Sequence, residues 1–124
     1  NNLSNIKERI ETHCFVVAVN QQSQIVGFSS ITPHGYLHSM FVHKDFQGKG
    51  IATMLLEEIE RYAITAGITR ITSEVSLTAR PFFEKKGYVV EKEQKRKANQ
   101  LSLTNFLMAK EVAFLEYYNK RVTD

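Results

Sequence analysis

The stretch Val42-His43-Lys44-Asp45-Phe46-Gln47-Gly48-Lys49-Gly50-Ile51-Ala52 constrains this chain more than any other. An apolar run from Leu37 to Val42 stops in a short polar loop. That loop passes through Gly48 and Gly50 and runs into a strongly periodic helical pattern. Glycine tolerates positive φ and lets a backbone come close to a ligand. The first turn of a helix leaves N–H groups unpaired and carries the positive end of the macrodipole. A strand, a glycine-bearing turn and a helix in that order therefore make a seat for a phosphate group, without many basic side chains.

The spacing narrows the kind of phosphate site. A Walker-type loop needs Lys-Ser or Lys-Thr directly after its last glycine, and Gly50 is followed by Ile51-Ala52. A dinucleotide fingerprint needs a third glycine, and position 53 is Thr53. What remains is Gln-x-x-Gly-x-Ala, carried by Gln47, Gly50 and Ala52. This pattern resembles the acetyl-coenzyme A loop of the GNAT N-acetyltransferases. The resemblance runs from Phe15 to Lys110. It takes in Ile25-Val26-Gly27-Phe28, the strand Tyr36 to His43, and Ala79-Arg80-Pro81-Phe82-Phe83-Glu84-Lys85-Lys86-Gly87-Tyr88. The last segment is similar to the family's Ala…Phe-Tyr-Glu-Lys-x-Gly-Phe signature. Thr104-Asn105-Phe106-Leu107-Met108 is similar to the closing strand of small bacterial members.

Composition sets bounds around that reading. A chain of 124 residues is expected to be a single domain, 1–124, with a real core. No apolar run approaches the roughly 20 residues of a membrane span. The polar start Asn1-Asn2-Leu3 reads as no secretory signal, and the lone Cys14 excludes an internal disulfide. The expected compartment is the cytoplasm. A net charge of +3 favours the phosphates of a nucleotide-like ligand but is too small to argue for nucleic acid. The basic run Lys92 to Lys97 lacks interleaved aromatic residues, so it reads as a solvated hairpin edge rather than a nucleic-acid patch.

Along the chain, Leu3, Ile6 and Ile10 predict a short helix over residues 3–12. Strands are expected at Cys14 to Val19, Gln24 to Ile31 and Tyr36 to His43, forming an antiparallel meander. The main helix places Ile51, Met54, Leu55, Ile59, Tyr62, Ala63 and Ala66 on its apolar stripe and stops at Gly67. A strand over Ile68 to Val75, a short helix over Thr78 to Lys86 and a hairpin of Tyr88 to Lys97 with Leu101 to Lys110 complete the pattern. The fold class is α/β (α+β): a mixed, mostly antiparallel sheet flanked by helices, with one right-handed parallel step across the main helix. The resemblance adds that the usual first strand and helix are lacking. The tail from Ala113 to Asp124 reads as a short helix docking on the sheet or on a second subunit, which would make a homodimer.

The resemblance also implies chemistry. Acetyl-CoA would be the co-substrate, and its acetyl group would pass directly to a primary amine of a small molecule or peptide. Pantetheine and thioester would lie along Met40, Phe41 and Val42. The diphosphate would rest on amides of Gln47, Gly48, Lys49, Gly50, Ile51, Ala52 and Thr53. An amine with a solution pKa of about 10 must lose a proton to attack. His38 is the first candidate base, by the Leu-His-x-x-x-Val-His pattern that resembles serotonin N-acetyltransferase. Glu74 on the facing strand is the alternative, and His34 and His43 fall at strand ends. The family's thiolate-protonating tyrosine is replaced by Phe83, which has no proton to give, and its frequent asparagine by Ser76. Protonation would then fall to water, Ser76 or another group, while Phe83 packs on the thioester arm. The four histidines show no metal-site spacing. A module that holds acetyl-CoA or CoA without turnover is the alternative reading. Polyamines, aminoglycosides, amino acids and protein amino termini all stay open as acceptors.

Overall fold

The computed structural model describes residues 14–112. They form β1 (Cys14–Val19), β2 (Ile25–Ile31), β3 (Leu37–Val42), a 3-10 turn (Lys44–Phe46), α1 (Ile51–Thr65), β4 (Arg70–Ser76), α2 (Arg80–Lys85), β5 (Val89–Ala98) and β6 (Leu101–Glu111). The helix expected over residues 3–12 and the tail expected to dock from position 113 onward lie outside the described residues. Among the described residues no helix is long and apolar enough to cross a membrane.

Strands and helices mix as expected, but the sheet divides. Strands β1-β2-β3 make one antiparallel sheet and β4-β6-β5 another. The parallel step across α1 shrinks to one bridge, between Tyr36 and Thr72. The cause lies in β3. Ser30 pairs with Ser39, yet Ile31 pairs with Leu37, so His38 is an extra, unmatched residue. A bulge of this kind bends its strand and increases its twist, and β3 swings away from β4. Side chains and loop backbone then take the place of the missing ladder. The buried Ser73 hydroxyl donates to the Leu37 carbonyl (2.9 Å), and the Thr72 amide donates to the Gly35 carbonyl (2.9 Å).

Helix α1 packs on one face of the first sheet. Leu55, Leu56, Ile59 and Ala63 are its buried residues, at helical spacing. Each large one contributes about 1.5–3 kcal/mol by leaving water. The apolar stripe read from sequence is therefore turned slightly: Leu56 goes in, while Met54 (59% exposed) and Tyr62 (37%) stay out. The helix sits close because of Gly27. A methyl group there would lie 2.8 Å from the Phe41 carbonyl and 3.2 Å from both Ile51 and Leu55. The opposite face of this sheet carries Phe15, Val17, Phe28 and Phe41 outward.

In the second sheet β5 is an outer strand, so the Lys92 to Lys97 run lies along a sheet edge, with Lys92, Lys95 and Lys97 exposed. The hairpin turns on Asn99 (φ 49°) and Gln100 (φ 67°), a two-residue turn with both residues left-handed. Tyr88, expected to open β5, is instead a buried core residue. Its hydroxyl donates to Glu60 (2.8 Å), which also pairs with Lys110 (3.2 Å). Burial, and then the Glu60 charge, push its pKa far up. Cys14 is partly buried against the core, and burial raises its thiol pKa.

Candidate active site

Where β3 and β4 part, a cavity of about 790 Å³ opens. Its floor is the junction between β3 and α1. Two contacts set that junction: the His43 amide donates to Val26 O (2.8 Å), and the Gln47 side chain donates to Val42 O (3.4 Å). The His43 ring caps the 3-10 turn by accepting from the Asp45 amide (3.1 Å), a structural task for a residue that the sequence places simply at a strand end. Gly48 (φ 77°) and Gly50 (φ 79°) are both left-handed, a backbone state that side chains with a Cβ rarely adopt. Nothing lies within 4 Å of where a Cβ would stand on either. The space above the loop is thus open to a ligand, and backbone conformation is what requires glycine.

Gly50 is the N-cap of α1 and lends it no side-chain bond. The Met54 amide donates to Gly50 O (3.1 Å), the first bond of the helix. The amides of Ile51, Ala52 and Thr53 precede it and have no carbonyl within the helix to meet. Gln47, Gly48, Gly50 and the first-turn residues Ile51, Ala52 and Thr53 all line the cavity. Lys49 does not line it, and its ammonium sits 5.8 Å from the Phe46 ring centre. Positive backbone dipole therefore dominates this end.

The walls differ in character. Strand β3 is the last strand of its sheet, so its backbone on the cavity side has no ladder partner beyond the Tyr36 bridge. Met40 and Val42 line the cavity from that strand, whereas the Phe41 ring points the other way and packs on Phe28 (5.6 Å). Phe83 is 5% exposed and is wedged edge-on between Phe82 (5.4 Å) and Tyr88 (5.3 Å). Ser76 accepts from the Ala79 amide through its hydroxyl oxygen (3.1 Å), which leaves the hydroxyl proton to point elsewhere.

At the far end His38, the bulge residue, lies on the cavity wall with the Tyr36 ring edge-on to it (6.2 Å, 81°). The Tyr36 hydroxyl donates to Glu74 Oε1 (3.1 Å), and Arg96 donates to Glu74 Oε2 (2.8 Å). Burial first, and the bond to Glu74 second, raise the Tyr36 pKa.

This geometry has known relatives. The profile of the acetyltransferase (GNAT) domain matches residues 2–111. The chain belongs to the GNAT acetyltransferase domain family. Over 103 residues it is 31% identical to YafP of Escherichia coli (strain K12), an uncharacterized N-acetyltransferase, covering 82% of this chain. The chain spans 63% of that protein's length. A solved GCN5-related N-acetyltransferase from Rhodopseudomonas palustris superposes with a TM-score of 0.77 at 28% identity, over 88% of this chain and 68% of that one. An aminoglycoside 6'-N-acetyltransferase solved with coenzyme A shares the fold, with a TM-score of 0.73 at 21% identity. It matches over 86% of this chain and 77% of its own.

Of the GNAT site residues named from sequence, the cavity gathers His38, Glu74, Ser76, Met40, Val42, Gln47, Gly48, Gly50, Ile51, Ala52, Thr53 and Phe83. It leaves out the Phe41 and Lys49 side chains. Sequence reasoning missed Tyr36, Arg96, Ser39, Ser73 and Phe82. Tyr36 stands two residues before His38, and that spacing was a usable signal. Nothing local in the sequence ties Arg96 to Glu74.

Proposed function

We propose that this GNAT domain moves an acetyl group from acetyl-CoA directly to a primary amine of a small molecule or peptide. The observation that carries the reading is the pair of left-handed glycines, Gly48 and Gly50, opening onto the amides of Ile51, Ala52 and Thr53 at one end of a cavity whose other end holds His38. The amides and helix dipole would hold the diphosphate. The free edge of β3 at Met40 to Val42 would hold the pantetheine arm and the thioester carbonyl.

In the transfer, the amine nitrogen attacks the thioester carbonyl carbon. A C–N bond forms, the C–S bond breaks, the nitrogen gives up one proton and the departing thiolate takes one. His38 is the base on this reading. Both Glu74 oxygens are already hydrogen-bonded, which makes Glu74 the weaker alternative. Ser76 accepts from the Ala79 amide, and on this reading its hydroxyl proton is the one given to the thiolate. Phe83 has no proton to give and packs against the arm.

Release of free thiol with a panel of amines, read beside calorimetry of acetyl-CoA binding, tests this. Amine-dependent release is expected. Tight binding without release on any amine would make the chain a holding module instead.

A further inference from the structure

Three serines, Ser29, Ser30 and Ser73, are buried among the described residues. A hydroxyl taken from water into a core costs stability unless it meets a partner. All three meet theirs on the two residues that flank the β3 bulge. The Ser73 hydroxyl donates to Leu37 O (2.9 Å). The Ser29 hydroxyl donates to Ser39 O (2.7 Å), and the Ser30 and Ser39 hydroxyls bond to each other (2.7 Å). His38 lies between Leu37 and Ser39, the extra residue of the β2–β3 register.

The serines approach from three directions. Ser29 follows Gly27 by two residues and so lies on the face that α1 covers. Ser30, its neighbour in β2, reaches from the opposite face. Ser73 reaches from β4, across the gap where the sheets have parted. A bulge disrupts the ladder locally and leaves its extra residue unpaired with the neighbouring strand. Its side chain points wherever the adjoining peptides turn it. Leu37 O belongs to the peptide that enters His38, and Ser39 O to the peptide that enters Met40, so these bonds hold the bulge on both sides.

We propose that Ser73, Ser29 and Ser30 are positioning residues for the transfer reaction, fixing the bulge so that the His38 ring keeps one place on the cavity wall against the Tyr36 edge. Their part in the reaction rests on the acetyl-transfer reading with His38 as base. His38 is exposed, so packing around its own ring does little to aim it. A base must lie within hydrogen-bond reach of the proton it takes. A misplacement of about 1 Å costs roughly a hundredfold in rate.

The test makes Ser73→Ala and Ser29→Ala in the wild type and again in His38→Ala. In the wild-type background turnover of an amine should fall by about tenfold or more, with acetyl-CoA affinity by calorimetry unchanged. In the His38→Ala background the same changes should lower turnover no further, because their effect passes through the imidazole. Equal losses in both backgrounds would mark the serines as merely structural and overturn the proposal. A second readout needs no turnover: nuclear Overhauser contacts between the His38 and Tyr36 rings. They should be present in the wild type and lost or weakened in both serine variants. Contacts of undiminished strength would also overturn the proposal. Ser29 and Ser73 belong to different sheets, so either variant carries the test if the other fails to fold. Absence of thiol release on every amine would sink the acetyl-transfer reading, and the ring contacts would still decide whether the serines hold His38.

Discussion

The two ends of the cavity are built by different means. The glycine end is backbone: two left-handed residues and the amides that open α1, with no ionic side chain lining it among the described residues. The His38 end is side chain: His38 of β3 and Glu74 of β4 line it, and Tyr36, from the approach to β3, and Arg96 of β5 hold the Glu74 carboxylate from outside. A backbone grip tolerates almost any substitution that keeps φ, and it recognises what all substrates of a family share. A side-chain network changes with every replacement, so it is where one protein's preference is written.

The contrast can be broken most sharply at Gly50. Gly50→Glu forces a Cβ into φ 79° and puts a negative charge at the helix N-terminus. Acetyl-CoA affinity should fall by about a hundredfold or more by calorimetry, with the circular dichroism spectrum retained. Unchanged affinity would remove the loop from the site. Second in size, His38→Ala should lower turnover by about a hundredfold while leaving acetyl-CoA affinity alone. The deficit should be greatest at the low end of the pH range, where a proton acceptor limits the rate. A parallel drop at all pH values would dismiss the histidine as base.

Tyr88 sharpens the contrast from behind, because it buttresses Phe83 without reaching the loop. Tyr88→Phe should cost about 1.5–3 kcal/mol of stability, the range for a hydrogen bond to a charged group. The sign of the pH effect comes from the raised pKa. The tyrosine's contribution is fully present below about pH 10, the unfolded value, and declines as pH rises beyond it. Lys110 also pairs with Glu60, so the readout is the difference in slope between wild type and Tyr88→Phe in denaturant melts. Equal slopes would show that the phenol does not govern this transition. The smallest effect is expected at Tyr36→Phe. It removes one bond to Glu74 and should change acceptor KM by a factor of about five, consistent with roughly 1 kcal/mol, with acetyl-CoA affinity unaltered. A fall in cofactor affinity there would erase the distinction between the ends.

Legibility in the chain divides along the same line. The glycine end is local: contiguous residues, a φ requirement only glycine meets easily, and a helix start. All of that is visible in Val42 to Ala52. The other end depends on strand order. Glu74 and Arg96 meet only because β5 folds back across β6, and β6 inserts beside β4. The hairpin was legible, but which of its strands would face β4 was not. The division of the sheet was hidden for a related reason. His38 reads as one more strand residue until its register with β2 is known. In α1, hydrophobicity alone put Met54 and Tyr62 inward, whereas packing chose Leu56.

Gly27 ties β3 to the start of α1. With no side chain there, the backbone of β3 at Phe41 and the first residue of α1, Ile51, close on the same point. On the acetyl-transfer reading, the loop that would anchor the diphosphate and the strand edge that would carry the thioester arm are thereby held at one fixed spacing, like the jaws of a caliper set to the length of a single molecule. One added methyl would reset that gauge, and the penalty would surface in how well the reactive carbon is aimed rather than in how firmly the carrier is held.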